Sequence, residues 1–144
     1  MPDPFDLARF IAAQDPVYDA VLRELRAGRK QSHWMWFVFP QLRGLGRSPT
    51  SVRYGIASKA EAVAYLAHPV LGARLRECTR LALAIESANA TQVFDTPDDL
   101  KFRSSMTLFD LVAPGDVFGE ALAKFYAGSR DAQTLALLGE SERR

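Results

Sequence analysis

Residues 96–112 admit little besides a helix. Thr96-Pro97-Asp98-Asp99 supplies a capping hydroxyl, a proline at the first position and acids beside the positive end of the helix dipole. The pattern carries that helix through Leu111 or Val112. At about 100° per residue from Leu100, an arc from about 0° to 240° holds Phe102, Met106, Leu108, Phe109, Leu111 and Val112. Asp99, Arg103 and Asp110 gather on the remaining polar side, but Lys101 and Ser105 fall inside the apolar arc. A lysine there either snorkels to water along its stem or sits near a pocket with a partner. Desolvated, it becomes a nucleophilic amine able to form a Schiff base. Close to a fraying helix start, it reaches solvent instead.

The rest of the chain reads as further helices joined by punctuated turns. In residues 4–13, Phe5, Leu7, Phe10 and Ile11 lie near helical spacing, with Pro4 where a first turn tolerates it. Asp15-Pro16 repeats that start, and Val17, Val21 and Leu25 form one stripe down to Gly28, a helix stop. Ser58 and Glu61 have capping-box spacing ahead of Ala62, Val63 and Leu66. His68-Pro69 breaks that helix and begins another, with Leu71, Leu75, Cys78, Ala82 and Ile85 on one face. Residues 42–57 hold Gly44, Gly46, Pro49 and Gly55 and read as a structured loop over the site, and residues 86–95 as a connection. Pro114-Gly115-Asp116 turns the chain into residues 117–127, and Asp131 to Leu138 make a last short helix. The expected fold is mainly α: one compact domain, residues 1–144, of about six to eight helices. Its ordered core is expected over about 4–139, with 140–144 a frayed tail.

Gly28 to Gly46, GRKQSHWMWFVFPQLRGLG, gathers the unusual chemistry. Both tryptophans and one of the two histidines lie within four residues. The apolar run from Trp34 to Phe39 suits a short buried strand or a short helix, so an extended segment near 34–39 stays open. If extended, Trp34 and Trp36 share a face. These rings can stack a nucleobase or sugar, or serve as packing. His33 can act as a general acid or base, or as a hydrogen-bonded boundary histidine. Arg29, Lys30 and the later Arg47 suit a phosphate, although a solvated helix end equally explains the first two. Gln41 can read an amide or base edge, or pair with backbone. Tyr54 and Ser105 complete the candidate ligand-binding set, and Asp99 is a proton-handling candidate that a helix N-terminus also explains.

Composition narrows the classes. At 144 residues and 48% hydrophobic content the chain fits one domain with a core. A net charge of +1 gives no global field toward nucleic acid or membrane, so neither is an expected partner. The single cysteine, Cys78, excludes an internal disulfide and suits a reducing cytoplasm; its place on an apolar stripe argues for an inert thiol. MPDPFDLARF is acidic and lacks the pattern of a signal peptide. His33 and His68 are far apart, no Cys/His spacing suits zinc, and neither GxxxxGK[ST] nor a strand-linked GxGxxG occurs. No metal and no cofactor are expected.

The run GRKQSHWMWFVFPQLRGLGRS, then YGI, EAVAYLAHPVLGARL and DDLKFRSSMTLF, resembles the bacterial and fungal family called domain of unknown function 1810. The likeness extends from RFIAAQ at Arg9–Gln14 to TLALL at Thr134–Leu138. Some relatives carry a calpastatin label, but nothing in this sequence resembles that inhibitor's disordered repeats. A fainter, fold-level likeness is to the helical NADAR or YbiA-like domains of NAD and ADP-ribose metabolism, which cleave N-glycosidic bonds or remove ADP-ribose from guanine. His33 follows Ser32 here, where those domains pair glutamate with histidine. What this likeness implies is a nucleotide- or ADP-ribose-related pocket. Lys101 would trap the opened ribose, Asp99 or His33 would move protons, Trp34 or Trp36 would stack the base, and Arg29, Lys30 or Arg47 would hold phosphate. The alternatives are a non-catalytic ligand- or protein-binding module, and a structural subunit with the aromatic stretch buried in a homodimer.

Overall fold

The long helix foreseen at Thr96 forms the spine of the molecule in a computed structural model, which describes residues 2–86 and 88–139. Among these residues there are ten helices and no strand. They are α1 (Ala8–Gln14), α2 (Tyr18–Arg26), α3 (Met35–Val38), α4 (Pro49–Arg53), α5 (Lys59–Ala67), α6 (Leu71–Leu83), α7 (Ala90–Phe94), α8 (Asp98–Val112), α9 (Val117–Tyr126) and α10 (Ala132–Leu138). Helix α8 packs against α3, α5, α7, α9 and α10, while α6 packs against α2, α3, α5 and α9. One apolar cluster runs through α1, α2, α3, α5, α6, α7, α8 and α9. Its aromatic centre is Phe102, stacked on Phe94 at 4.5 Å and edge-on to Phe39 at 4.9 Å.

Local signals explain several of the helix ends. Gly28 follows α2 at φ +84, a left-handed conformation that glycine adopts without a Cβ penalty. The Ser58 side chain accepts from Glu61 N at the start of α5. The reciprocal arm goes elsewhere: the Glu61 carboxylate accepts from Ala57 N and pairs with Arg9 at 2.7 Å. Arg9 also donates to the carbonyls of Arg53 and Gly55, so this buried pair ties α1 to the chain on both sides of residue 57. At α8, Pro97 occupies the cap position and the Thr96 hydroxyl donates to Asp99, not to a backbone group.

Four expectations need correction. The segment near 34–39 is not extended: Met35–Val38 is a helical turn, with Val38 N and Phe39 N donating to Trp34 O and Met35 O. The connection over 86–95 contains α7, started by a capping box between Asn89 and Gln92. The loop over 42–57 contains α4, capped by Ser48. The first helix begins at Ala8, not at residue 4. Short helices of this kind raise the number from the expected six to eight to ten, because one turn is too brief to show a period. The expected frayed tail, 140–144, lies outside the described residues.

Candidate functional site

Glu24 shapes the entry to the aromatic stretch. Its carboxylate accepts from Gln31 N, Ser32 N, the Ser32 hydroxyl and Trp34 Nε1. Burial alone would raise its pKa, but these four hydrogen bonds outweigh that and hold it down at about 2. The loop is thereby fixed before α3 starts. Because α3 is helical, Trp34 and Trp36 sit roughly 200° apart and face opposite ways. Trp34 goes into the core at 1% exposure, against Phe39, and Trp36 stays half-buried at a cavity.

One carboxylate links this stretch to α8. Asp98 lies 2.8 Å from Lys30 Nζ and 3.2 Å from Lys101 Nζ. Each ammonium also stands over a tryptophan: Lys30 is 5.2 Å from the Trp34 ring centre and Lys101 is 4.0 Å from that of Trp36. The Lys30 side chain is only 7% exposed and that of Lys101 20%. Lys101 is thus neither snorkelled into bulk water nor isolated in an apolar pocket. A single carboxylate shared by two ammoniums leaves one positive charge over.

Lys101 and Trp36 meet in a cavity of about 530 Å³. Pro97 and Leu100 supply apolar wall from the start of α8, Leu45 and Gly46 come from the loop after α3, and Ser129 to Gln133 close the remaining side. Lys101, Arg103 and Arg130 are its basic residues and Asp131 its acid. Arg130 is neutralised by Asp110 at 2.6 Å, and the Asp131 carboxylate caps α10 at Thr134. Arg103 meets no carboxylate among the described residues: its guanidinium donates to the Ser129 and Arg130 carbonyls and the Ser129 hydroxyl. The cavity is therefore electropositive on its α8 side. A hollow of about 580 Å³ beside Arg80, Pro114 and Glu120 has no aromatic ring in its wall.

Of the residues singled out by sequence, the cavity gathers Trp36, Gln41 and Lys101. Lys30 and Trp34 support it from behind through Asp98 and α3. The others lie elsewhere. His33 is exposed and outside the lining, as is Arg47. Arg29 is exposed and faces Asp95 at 3.8 Å. Tyr54 is a packing residue between Phe10 and Phe37. Asp99 is 8% exposed and occupied by the hydroxyls of Thr91 and Thr96 and by Leu100 N, so it organises the helix start. Ser105 is fully buried, with a hydroxyl that has no partner among the described residues, and it does not line the cavity. Among the described residues no group of three His, Cys, Asp or Glu can hold a metal, and no helix is long and apolar enough to cross a membrane. Cys78 is buried, and burial pushes its thiol up to about 12.

Residues 4–138 match the DUF1810 family, described as protein of unknown function. The chain belongs to DUF1810. Across 96% of this DUF1810 chain, it is similar to the crystal structure of the conserved hypothetical protein Rv1873 from Mycobacterium tuberculosis. That match spans 100% of the Rv1873 chain at 56% identity, with a TM-score of 0.94. No curated protein matches the DUF1810 chain. Sequence reasoning missed Asp98, Arg103 and Arg130 as parts of this site. Asp98 was legible as the acid three residues before Lys101, one helical turn away. Arg130 was not, because only the return of the chain after α9 brings it to α8.

Proposed function

We propose that the Trp36–Lys101 cavity binds a small anionic ligand with a planar ring, of the nucleotide or ADP-ribose class. The observation that carries this reading is an ammonium 4.0 Å above a half-buried indole, in a cavity of about 530 Å³. That volume lies within the range of small-molecule sites. Leu100 and Leu45 offer apolar surface beside the ring, and Lys101, which shares Asp98 with Lys30, joins Arg103 in supplying positive charge for phosphate. The match to a conserved hypothetical protein adds no activity to this argument.

Binding is favoured over glycoside cleavage. A Schiff-base mechanism needs Lys101 as a free amine with an acid beside it. Lys101 Nζ is instead taken up by Asp98 and the Trp36 face. Of the acids expected to move protons, Asp99 is occupied and His33 is exposed away from the lining.

A thermal-shift panel of ADP-ribose, NAD, nucleoside monophosphates and guanosine tests the reading on wild type and Lys101→Ala. A ligand at about a hundred times its Kd stabilises the fold by roughly 2.7 kcal/mol, a shift of several degrees in Tm. The expected result is a shift with phosphorylated ligands that Lys101→Ala loses, while the variant keeps its helical signal. A flat panel on folded wild type overturns the proposal.

A further inference from the structure

Gln41 is 8% exposed and lines the cavity, yet its carboxamide is hydrogen-bonded to no described protein group. Among buried polar side chains this is unusual: Gln14, comparably buried, donates to Phe37 O and Tyr65 OH and accepts from Arg74. The backbone around Gln41 is held firmly. Ile56 N donates to Gln41 O at 2.9 Å and Arg43 N donates to Ile56 O at 2.8 Å, with Leu42 and Ile56 in a parallel bridge. Pro40 before it is buried and fixes φ. Gln41 and Trp36 line the same cavity, and a carboxamide carries one donor and one acceptor side by side.

We infer that Gln41 is a specificity-determining residue that reads a paired donor–acceptor edge on the ligand's planar group. The inference rests on the cavity reading above and narrows it. A primary carboxamide matches a 6-oxo purine, whose ring N–H and carbonyl are adjacent, and equally a 6-amino purine, whose exocyclic amine lies next to a ring nitrogen. Turning the amide over exchanges donor and acceptor, so either order is met. A ring that lacks one of the two groups leaves half of the Gln41 amide without a partner once the ligand displaces water from it, which weakens binding. The site therefore selects for an amide-like or amidine-like edge, with the charge at Lys101 and Arg103 left to the phosphate.

Titration calorimetry with three probes tests this: inosine 5′-monophosphate, adenosine 5′-monophosphate and purine riboside 5′-monophosphate, which lacks any 6-substituent. The expected result on wild type is that the first two bind roughly tenfold or more tighter than the third, the scale of a buried hydrogen bond. Gln41→Leu, of similar size, is expected to bind all three alike at the weaker level. The wild-type comparison stands even if that variant fails to fold. Equal binding of the three probes by wild type overturns the Gln41 inference while leaving the cavity reading intact, and so does a preference that survives in folded Gln41→Leu. No binding of any probe overturns both.

Discussion

Replacing Ser105 by alanine removes the one sealed side-chain oxygen that lacks a hydrogen-bond partner among the described residues. The hydroxyl is fully buried in the middle of α8, where alanine is also the better helix former. Ser105→Ala is expected to stabilise the protein by about 1 kcal/mol in urea denaturation and to leave ligand shifts unchanged. Loss of those shifts would return Ser105 to the site. Glu24 presents the opposite case, a carboxylate whose every bond is used. Its folded pKa of about 2 lies below the ordinary 4.5, so its stabilisation is present above about 4.5 and is lost as pH falls toward 2. Allowing for partial solvent screening, that contribution is about 1–2 kcal/mol. The urea midpoint of wild type should exceed that of Glu24→Gln at pH 6, and the gap should narrow at pH 3. An equal gap at both values would show that the four hydrogen bonds do not depend on the charge. None of this was legible at the residue itself, since Glu24 reads as an ordinary polar position of α2.

Between elements, close approach does what composition cannot announce. At Gly72, in the first turn of α6, an added Cβ would stand 2.1 Å from Leu66 O in α5. The obstacle is backbone, so it cannot move aside as a flexible side chain would. Gly72→Ala is expected to force α5 and α6 apart and cost about 1–3 kcal/mol or more, visible as a lower Tm. A change within a few tenths would mean the helix pair is loosely seated. The same pair shows why some elements were readable and others not. His68-Pro69 announces the break between α5 and α6, and Ser58 announces the start of α5. Helices α4 and α7, of five residues each, hold together through their Ser48 and Asn89 caps and through burial, and neither is long enough to carry a period.

Across the whole molecule, the single apolar cluster through eight helices predicts one cooperative transition. Tryptophan fluorescence, which reports the α3 region at Trp34 and Trp36, and far-UV circular dichroism, which reports all the helices, should give coincident urea curves. Separated midpoints would mean that the α3–cavity region opens before the α6–α9 body. The sequence by itself determined the helical class, the strong helix over 98–112, the stop at Gly28 and the anomaly of Lys101, because first-turn acids, left-handed glycine and helical period are local. Only the tertiary structure decided which residues meet. A helical turn at 35–38, where an extended run was equally allowed, sent Trp34 to the core and Trp36 to the cavity. The return of the chain after α9 brought Arg130 to that wall, and the packing of residue 30 beside α8 put Asp98 between two lysines. The Lys30–Asp98 and Trp36–Lys101 meetings join residues more than sixty positions apart, a distance over which no local pattern carries information.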